Sequence, residues 1–444
     1  MVKVLKFGGS SLADAAQFRK VAAIINAEPE RRYIVASAPG KRYFEDEKIT
    51  DLLLRCHMLA ENRNPFEETF HKIAERFRGI IADLGLSLSI ESELDTVWEA
   101  IGSGASADYV ASRGEYFSAM ILANYLNVPF IDAEQCIFFT SDGRLDSART
   151  NTVLENRLAM TPRAVIPGFY GMAPNHTVKV FSRGGSDITG SIVAEAVEAD
   201  LYENWTDVSG MLMADPRCID DPAPIDVITY RELRELSYMG ATVLHEDAIF
   251  PVRRAGIPIN IRNTNRPGDP GTMIVPHTDG RNGSRLVTGI AGKTGFSVIY
   301  IEKDRMNAEL GYGRRVLETL ERRGISFEHL PSGIDTVSVV VNTADISSRQ
   351  DAIVADLKRI VRPDAIRIDH NLALIAIVGR GMICSPGVAA RVFSALAKEQ
   401  INVRMIDQGS SELNIIVGVT AEDYLPALQA IYREFMPKED QNDL

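Results

Sequence analysis

The chain has 444 residues, of which 45% are hydrophobic and 24% are charged. This ordinary globular composition excludes a collagen, a coiled coil and a disordered chain, and the length predicts about three domains. The 48 basic and 60 acidic residues leave a formal net charge of −12. That charge opposes nucleic-acid phosphates and anionic membrane surfaces, so we expect neither as a partner. Such a protein can still bind phosphate where a few cations and backbone N–H groups converge.

Cysteine usage and the N-terminus bear on the compartment. The four cysteines lie far apart with no C-x-x-C pair, which argues against a disulfide framework and favours a reduced, cytoplasmic protein. The apolar stretch at residues 2–7 is too short for a signal peptide. The longest apolar run, residues 372–378, is far shorter than the roughly 18 residues of a membrane span. We therefore expect no membrane association.

The first predicted element is a strand over residues 2–7, which ends at a Gly-Gly turn and precedes a helix predicted over 14–26. Similar strand-and-turn units follow at 33–40 and at 178–185, the second of them before a helix predicted over 188–199. Strands that alternate with helices indicate an α/β fold, in which a mainly parallel sheet lies between helices. Ligands of such sheets bind at the carboxyl ends of the strands.

Turn-forming residues are dense between 262 and 285 and indicate a domain boundary. Beyond it, the order strand, helix, strand, strand, helix occurs twice, which predicts two copies of one small α+β module. Both copies place a glycine beside a helix start, at Gly311 and Gly387. The predicted strands of the modules lie at 296–302, 325–330, 336–342, 372–378, 401–406 and 412–419. The predicted domains are 1–275, 286–370 and 371–444.

Two glycine turns are candidate phosphate-binding sites. In the first, Lys6 precedes Gly8, Gly9 and Ser10, so backbone N–H groups and a helix start would face an anion beside a lysine. It is not a P-loop, because the lysine precedes the glycines, and an ordinary strand-to-helix turn is the alternative. The second turn, residues 183–187, has the same form, although its aspartate could serve only as an N-cap. Two such turns in one domain favour phosphate binding.

These segments and four others, taken together, resemble the aspartokinases. The motifs that carry the resemblance are Lys6-Phe-Gly-Gly-Ser-Ser, Ser-Arg113-Gly-Glu115, Ser-Arg183-Gly-Gly-Ser-Asp187, Trp-Thr206-Asp207-Val-x-Gly, Asp215-Pro-Arg217 and Gly240-Ala-x-Val243-Leu-His245. The doubled C-terminal module resembles ACT domains, so the resemblance covers nearly the whole chain. Each motif alone is common, whereas the set in this order is specific.

The resemblance implies an amino-acid-kinase sheet sandwiched by helices, followed by two ferredoxin-like ACT modules. It implies a kinase that transfers the γ-phosphoryl group of ATP, with Mg²⁺, to the β-carboxylate of L-aspartate. The product would be 4-phospho-L-aspartate, on the route to diaminopimelate, lysine, threonine and methionine. Because a carboxylate nucleophile is already ionised at pH 7, catalysis would reduce to alignment and charge neutralisation.

The resemblance also implies roles for individual residues. Lys6 would stabilise charge on the transferring phosphoryl group, and Asp187 would orient Lys6 or the metal. Glu115 would bind the ammonium group of the substrate, and the planar fork of Arg183 its α-carboxylate. The alternatives are a helix-start carboxylate for Glu115 and a surface ion pair for Arg183. Further substrate positions are Ser37 and Thr50, and the phosphate and nucleotide positions are Lys6, Gly8, Gly9, Ser10, Thr206, Asp207, Leu212, Arg217, Thr242 and Val243.

Three departures from the family pattern stand out. Thr242 occupies a position where the family usually has a lysine, and Leu212 one where an aromatic residue often lies against the nucleotide. Residues 41–48 form a charged insertion in the substrate loop, which would be either a solvated excursion or a lid.

In the first ACT-like module, the resemblance implies a site for an inhibitory amino acid. Its carboxylates suit a cationic effector, lysine first and threonine second, and the alternative is that they are merely solvated surface. The implied effector positions are Met306, Ala308, Glu309, Tyr312, Gly313, Phe327 and Glu328. Because ACT modules pair side by side, a homodimer or a dimer of dimers is implied.

Two other functions compete with an aspartate kinase. One is another enzyme of the same fold, of the acetylglutamate or uridylate kinase type, although those families generally lack a tandem ACT tail. The other is a catalytically silent amino-acid sensor, which Thr242 favours and the presence of Lys6, Glu115, Arg183 and Asp187 opposes.

Overall fold

The computed structural model describes residues 1–182, 184–241, 244, 246–278 and 285–436. The chain forms two compact units. The first comprises the described residues within 1–211, 224–230 and 243–278, and the second those within 212–223, 231–242 and 279–444. Within the described residues, no helix is long and apolar enough to cross a membrane.

The first 278 residues contain short strands and longer helices. The strands are β1 (Lys3–Phe7), β2 (Arg31–Ala36), β3 (Ala164–Pro167), β4 (Tyr170–Met172), β5 (Val178–Val180), β6 (Leu201–Thr206), β7 (Met211–Leu212), β8 (Pro224–Ile225), β9 (Val227–Thr229), β10 (Ile259–Asn263) and β11 (Thr272–Val275). The helices are α1 (Ala15–Asn26), α2 (Ile49–Glu61), α3 (Glu67–Leu84), α4 (Glu91–Gly102), α5 (Ala107–Leu126), α6 (Ser147–Ala159), α7 (Gly185–Ala196), α8 (Tyr230–Tyr238) and α9 (Glu246–Ala255).

The first unit is built on a seven-stranded sheet in the order β3-β2-β1-β6-β10-β11-β9, parallel except for the β10–β11 pair. β1 is an interior strand between β2 and β6, and its Leu5 and Phe7 are buried in a core with residues of α1, α2, α3, α4 and α5. The alternating Lys6 side chain lies on the other face, which α7 covers. Helices on both faces of a mainly parallel sheet confirm the predicted α/β class.

The second unit contains the later elements of the chain. Its strands are β12 (Gly289–Glu302), β13 (Thr336–Asn342), β14 (Ala365–Val378), β15 (Met405–Asp407) and β16 (Asn414–Val419). Its helices are α10 (Tyr312–Glu321), α11 (Thr343–Ile346), α12 (Gln350–Val361), α13 (Val388–Lys398) and α14 (Tyr424–Phe435). The strands form one antiparallel sheet in the order β13-β12-β14-β16-β15.

The repeated order seen in the sequence is carried by two halves of this sheet that share β12 and β14. β13 pairs with residues 296–302 of β12, whereas β16 pairs with residues 373–378 of β14. A division at residue 370 therefore falls inside a single strand. Gly311 and Gly387 are the N-caps of α10 and α13, with φ of 74° and 87°, a region that favours glycine.

The strand predicted over residues 325–330 is wrong. This segment keeps backbone hydrogen bonds to β13, such as Glu328 N–H to Val340 O at 2.8 Å, but only His329 forms a β-bridge there. Its position at the edge of the sheet, with one neighbour instead of two, explains why an apolar pattern did not become a regular strand.

Candidate active site

Lys6 and Asp187 meet at the carboxyl end of the sheet in the first unit. Lys6 Nζ lies 2.7 Å from Asp187 Oδ1, in the first turn of α7. Asn204 of β6, the register partner of Lys6, donates from Nδ2 to the same oxygen at 2.7 Å. Tyr202 Oη donates to the Asp187 carbonyl oxygen at 3.2 Å. The N-cap alternative for Asp187 is wrong, because Gly184 caps α7 and the Asp187 carboxylate instead holds Lys6.

The glycine turn after β1 packs tightly against the segment that follows β2. Gly8 precedes a 3₁₀ turn over Gly9–Leu12, in which Ser10 is half-buried. A Cβ added to Gly40 would lie 2.7 Å from the carbonyl carbon of Gly9, and Gly40 N–H donates to Gly9 O at 2.8 Å. This close approach of two backbones requires the absence of side chains. It places the predicted phosphate turn beside the predicted substrate segment.

The predicted substrate positions Ser37, Thr50 and Glu115 converge on that segment. Ser37 is buried, and its N–H donates to the last carbonyl of β1 at 3.2 Å. Thr50 is half-buried in the first turn of α2. A Cβ on Gly114 of α5 would lie 2.7 Å from Ala38 Cβ, so α5 packs directly on the chain between Ser37 and Thr50. Glu115 is therefore brought to the same place.

Glu115 is a buried carboxylate in the middle of α5, so the helix-start alternative is wrong. Only 5% of the residue is exposed, and Oε2 has no hydrogen-bond partner among the residues that the structure describes. Burial raises the pKa of the Glu115 carboxyl to about 8, against a smaller opposing effect of the Ala38 backbone amide. An incoming ammonium group would complete this arrangement, because it supplies both a donor and a positive charge.

The predicted nucleotide positions divide between the units. In the first unit, Thr206 ends β6 next to β1, and its Oγ1 lies 3.2 Å from Asp207 Oδ1. In the second unit, Leu212 is exposed. The Arg217 side chain is 86% exposed, and one of its guanidinium nitrogens lies 2.6 Å from Asp215 Oδ2. Thr206 and Asp207 thus lie at the carboxyl end of the sheet, where Lys6 also lies.

Three predicted positions lie outside the described residues. They are Arg183, the predicted partner of the substrate α-carboxylate, and Thr242 and Val243, predicted to contact the nucleotide. Their contacts stay predictions.

The predicted effector positions of the second unit differ in exposure. Met306 and Tyr312 are buried in the core of the first half of the sheet. The Tyr312 hydroxyl has no hydrogen-bond partner in the described part of the chain. Ala308 is exposed, and Gly313 is half-buried. The role of these positions in effector binding stays a prediction.

Both carboxylates predicted to attract a cationic effector have partners. Glu309 pairs with Arg315, and Glu328 accepts a hydrogen bond from Tyr238 Oη. Phe327 is exposed. Side chains of the same unit therefore already contact both carboxylates, and their role in binding a cationic effector stays a prediction.

Sequence reasoning missed two polar contacts of the first unit. Asn204 is a polar residue on a buried strand, and its two-residue alternation with Tyr202 could have placed it on the face of Asp187. The ion pair of Asp46 with Arg76 has no local signal, because the partners are 30 residues apart.

Comparison with known proteins identifies the same family that the sequence motifs resemble. The sequence pattern of the amino acid kinase family matches residues 1–263, and that of the ACT domain matches residues 375–435. The chain is 40% identical to aspartokinase 3 of Bacillus subtilis, over 98% of each chain. This chain belongs to the aspartokinase family. The predicted family, fold class and enzyme class are thereby confirmed.

Solved aspartokinases share the fold. Aspartate kinase of Clostridium acetobutylicum, described as an allosteric enzyme, is 51% identical, with a TM-score of 0.89 over 98% of this chain and 100% of that one. Aspartokinase III of E. coli is 26% identical over 98% of this chain. Its complex with aspartate and ADP has a TM-score of 0.74 and covers 99% of that chain. Its complex with lysine and aspartate has a TM-score of 0.71 and covers 100%.

Proposed function

We propose that this aspartokinase transfers the γ-phosphoryl group of ATP to the β-carboxylate of L-aspartate, giving ADP and 4-phospho-L-aspartate. The observation that carries the proposal is the Lys6–Asp187 pair, 2.7 Å apart beside a glycine turn. That turn packs against Gly40, in the same segment that α5, the helix of Glu115, contacts at Ala38. The family assignment and the E. coli relative with aspartate and ADP support the same reaction.

The chemistry requires alignment more than proton transfer. The β-carboxylate of aspartate is ionised at neutral pH and needs no general base. Lys6 would neutralise the negative charge on the transferring group, and the backbone N–H groups of the turn at Gly8 and Gly9 would hold the phosphates. Asp187 and Asn204 would fix Lys6, since a charge preorganised in a water-poor site is more effective than a mobile one.

Glu115 supplies the discrimination between acceptors. A free ammonium group would give the unpartnered Oε2 a charged donor, whereas an N-acetylated acceptor would leave it buried without one. We assign the α-carboxylate of the substrate to Arg183 on the family pattern. The site therefore favours an aspartate kinase over an acetylglutamate kinase. The match to aspartokinase 3 along nearly the whole chain favours the same choice.

Magnesium is part of the proposal, because ATP reaches kinases as its Mg²⁺ complex. Mg²⁺ is typically bound by one or two carboxylates together with substrate phosphates. Asp187 fits this role, because its carboxylate lies beside Lys6 at the carboxyl end of the sheet, with Oδ1 in contact with Lys6 and Asn204. When bound, the ion would neutralise phosphate charge.

The direct test measures ADP release with L-aspartate, L-glutamate, N-acetylglutamate and UMP as acceptors. Of these four acceptors, we expect only L-aspartate to give turnover. Lys6→Ala should lower kcat by at least about 100-fold, the scale seen when one preorganised transition-state stabiliser is removed. The matched control is Lys20→Ala, an exposed lysine of α1, which should keep wild-type kcat. No aspartate-dependent turnover would refute the proposal and favour the silent sensor.

Regulation is proposed on the ACT modules. We infer feedback inhibition by an end-product amino acid, lysine first and threonine second, and the E. coli relative solved with lysine supports lysine. The residues that we propose for the effector site are Met306, Tyr312 and the exposed loop between them. Lysine and threonine are titrated separately into the ADP assay, and indifference to both would refute inhibition by these end products.

We also propose a homodimer or a dimer of dimers that pairs through the ACT modules. Leu310 is 95% exposed and Ile334 is also exposed, and contact between ACT modules would cover such apolar side chains. Light scattering after size exclusion tests this, and a monomer at micromolar concentration would contradict it. The enzyme would act in the cytoplasm, where ATP and free aspartate meet, at the first step towards diaminopimelate, lysine, threonine and methionine.

A further inference from the structure

Residues 41–48, the charged insertion after β2, are buried at Asp46, half-buried at Glu47 and exposed at the other positions. Asp46 is buried, whereas Phe44 two residues earlier is 89% exposed. Arg42 contacts Asp46 from its backbone N–H and from its guanidinium, at 2.8 to 3.1 Å. These contacts lower the pKa of the Asp46 carboxyl well below its usual range. The insertion is therefore not a fully solvated excursion.

A second arginine holds Asp46 from the interior. Arg76 of α3 has a side chain only 6% exposed, and its Nη2 donates to both carboxylate oxygens of Asp46, at 2.8 and 2.9 Å. A buried carboxylate with two guanidinium partners is strongly ionised and firmly located.

The same guanidinium reaches two backbone carbonyls. Arg76 Nη1 donates to Gly40 O at 3.2 Å and to Ala13 O at 3.4 Å. Gly40 is the residue whose backbone touches Gly9, and Ala13 follows the 3₁₀ turn that begins at Gly9. One side chain thus ties together the insertion, the start of the substrate segment and the end of the phosphate turn.

We propose that Arg76 is a positioning residue for phosphoryl transfer, which fixes the distance between the phosphate turn at Gly9 and the substrate segment at Gly40. It acts through Asp46 and two carbonyls and does not itself touch substrate. The inference rests on the proposed function for its catalytic consequence. In a reaction governed by alignment, a displacement of about 1 Å costs about 100-fold in rate.

Arginine is the residue that this position needs. Its rigid fork presents donors in two directions at once, so that one nitrogen reaches Asp46 while the other reaches the carbonyls. A lysine would keep the charge near Asp46 but offers a single point donor on a flexible stem. Arg76→Lys therefore separates geometry from charge.

The experiment compares three variants by steady-state kinetics, thermal melting and hydrogen exchange. Arg76→Lys is the geometric test. The double variant Arg76→Met with Asp46→Leu removes both buried charges, which is often tolerated in stability, whereas loss of one partner is not. Arg78→Lys is the matched control, because Arg78 lies on the same helix with a side chain that is 42% exposed and paired to Glu91.

We expect kcat to fall at least 10-fold in Arg76→Lys and in the double variant, with the KM for ATP changed less than kcat and the control unaffected. The double variant should melt close to the wild type. Amide exchange at Gly40, whose N–H donates to Gly9 O, should be faster in both Arg76 variants. A double variant with wild-type kcat would overturn the proposal, since the pair would then serve stability alone.

The proposed function and this inference fail in different ways. If the wild type gives no aspartate-dependent turnover, the proposed function fails, and the exchange data alone decide the role of Arg76. Unchanged exchange at Gly40 in Arg76→Lys would then overturn the positioning role. Faster exchange there, with Arg78→Lys unchanged, would support it.

Discussion

The raised pKa of Glu115 leads to a prediction: if this residue binds aspartate as proposed, affinity for aspartate depends on pH in a defined direction. The buried carboxyl has a pKa of about 8, and its Oε2 lacks a partner within the described residues. If Glu115 binds the ammonium group of aspartate, only the ionised form is competent, so affinity should rise with pH. The perturbation is therefore a change of pH in the wild type, compared with Glu115→Gln.

The magnitude follows from the competent fraction, because apparent affinity is scaled by the fraction of enzyme able to bind. With a pKa of about 8, about one molecule in a hundred is ionised at pH 6 and about one in two at pH 8. The KM for aspartate should therefore fall about 50-fold between these values, with about fivefold of that between pH 7 and pH 8. The KM for ATP should not follow this curve.

The assay is ADP release at saturating ATP, with aspartate titrated at each pH. Glu115→Gln should show a high KM for aspartate that no longer changes with pH. Glu99→Gln, at an exposed position of α4, should reproduce the wild-type curve. A wild-type KM that is flat from pH 6 to pH 8, or one that rises with pH, would refute the assignment of Glu115 to the ammonium group.

Three further predictions concern the stability effect of Glu115, the carboxylate of Asp187 and the backbone contact of Gly40. Because the folded-state pKa of Glu115 lies above the value of 4.5 taken for the unfolded chain, its contribution is full below pH 4.5 and is lost as pH rises through about 8. Glu115→Gln should thus gain Tm relative to the wild type between pH 5 and pH 9 by thermal melting, and a constant difference would contradict this. Asp187→Asn should lower kcat by at least about tenfold, by weakening the charge that holds Lys6, and kcat equal to the wild type would mean that Lys6 is fixed without it. Gly40→Ala should lower kcat by displacing the Gly9 backbone, whereas Gly79→Ala on α3, where a Cβ meets nothing within 4 Å, should keep kcat and gain up to about 1 kcal/mol in unfolding free energy.

The sequence predicted the parts of the site that are local in the chain. Lys6 with its glycine turn, and Asp187 at the start of α7, were predicted from strand, turn and helix signals that span a few residues each. The α/β class followed from the alternation of such units, because periodicity and turn residues are properties of short segments. The glycine N-caps at Gly311 and Gly387 belong to the same class of signal.

The parts that could not be predicted depend on contacts between distant segments. Nothing near Arg76 indicates that its guanidinium meets Asp46 and Gly40, because packing of α3 decides it. The sequence left a helix-start position for Glu115 open as an alternative, whereas the residue lies inside α5, where Gly114 permits contact with Ala38. The sharing of long strands between two halves of one sheet is likewise a pairing property, which repeats in the sequence do not reveal.

The central claim is that this chain phosphorylates the β-carboxylate of L-aspartate, and trapping the product tests it most directly. An acyl phosphate reacts with hydroxylamine to give a hydroxamate, so wild-type enzyme with ATP, Mg²⁺, L-aspartate and hydroxylamine should form aspartyl β-hydroxamate in step with ADP. Lys6→Ala should form at least about 100-fold less per unit time. ADP release without hydroxamate, or neither product in the wild type, would contradict the account.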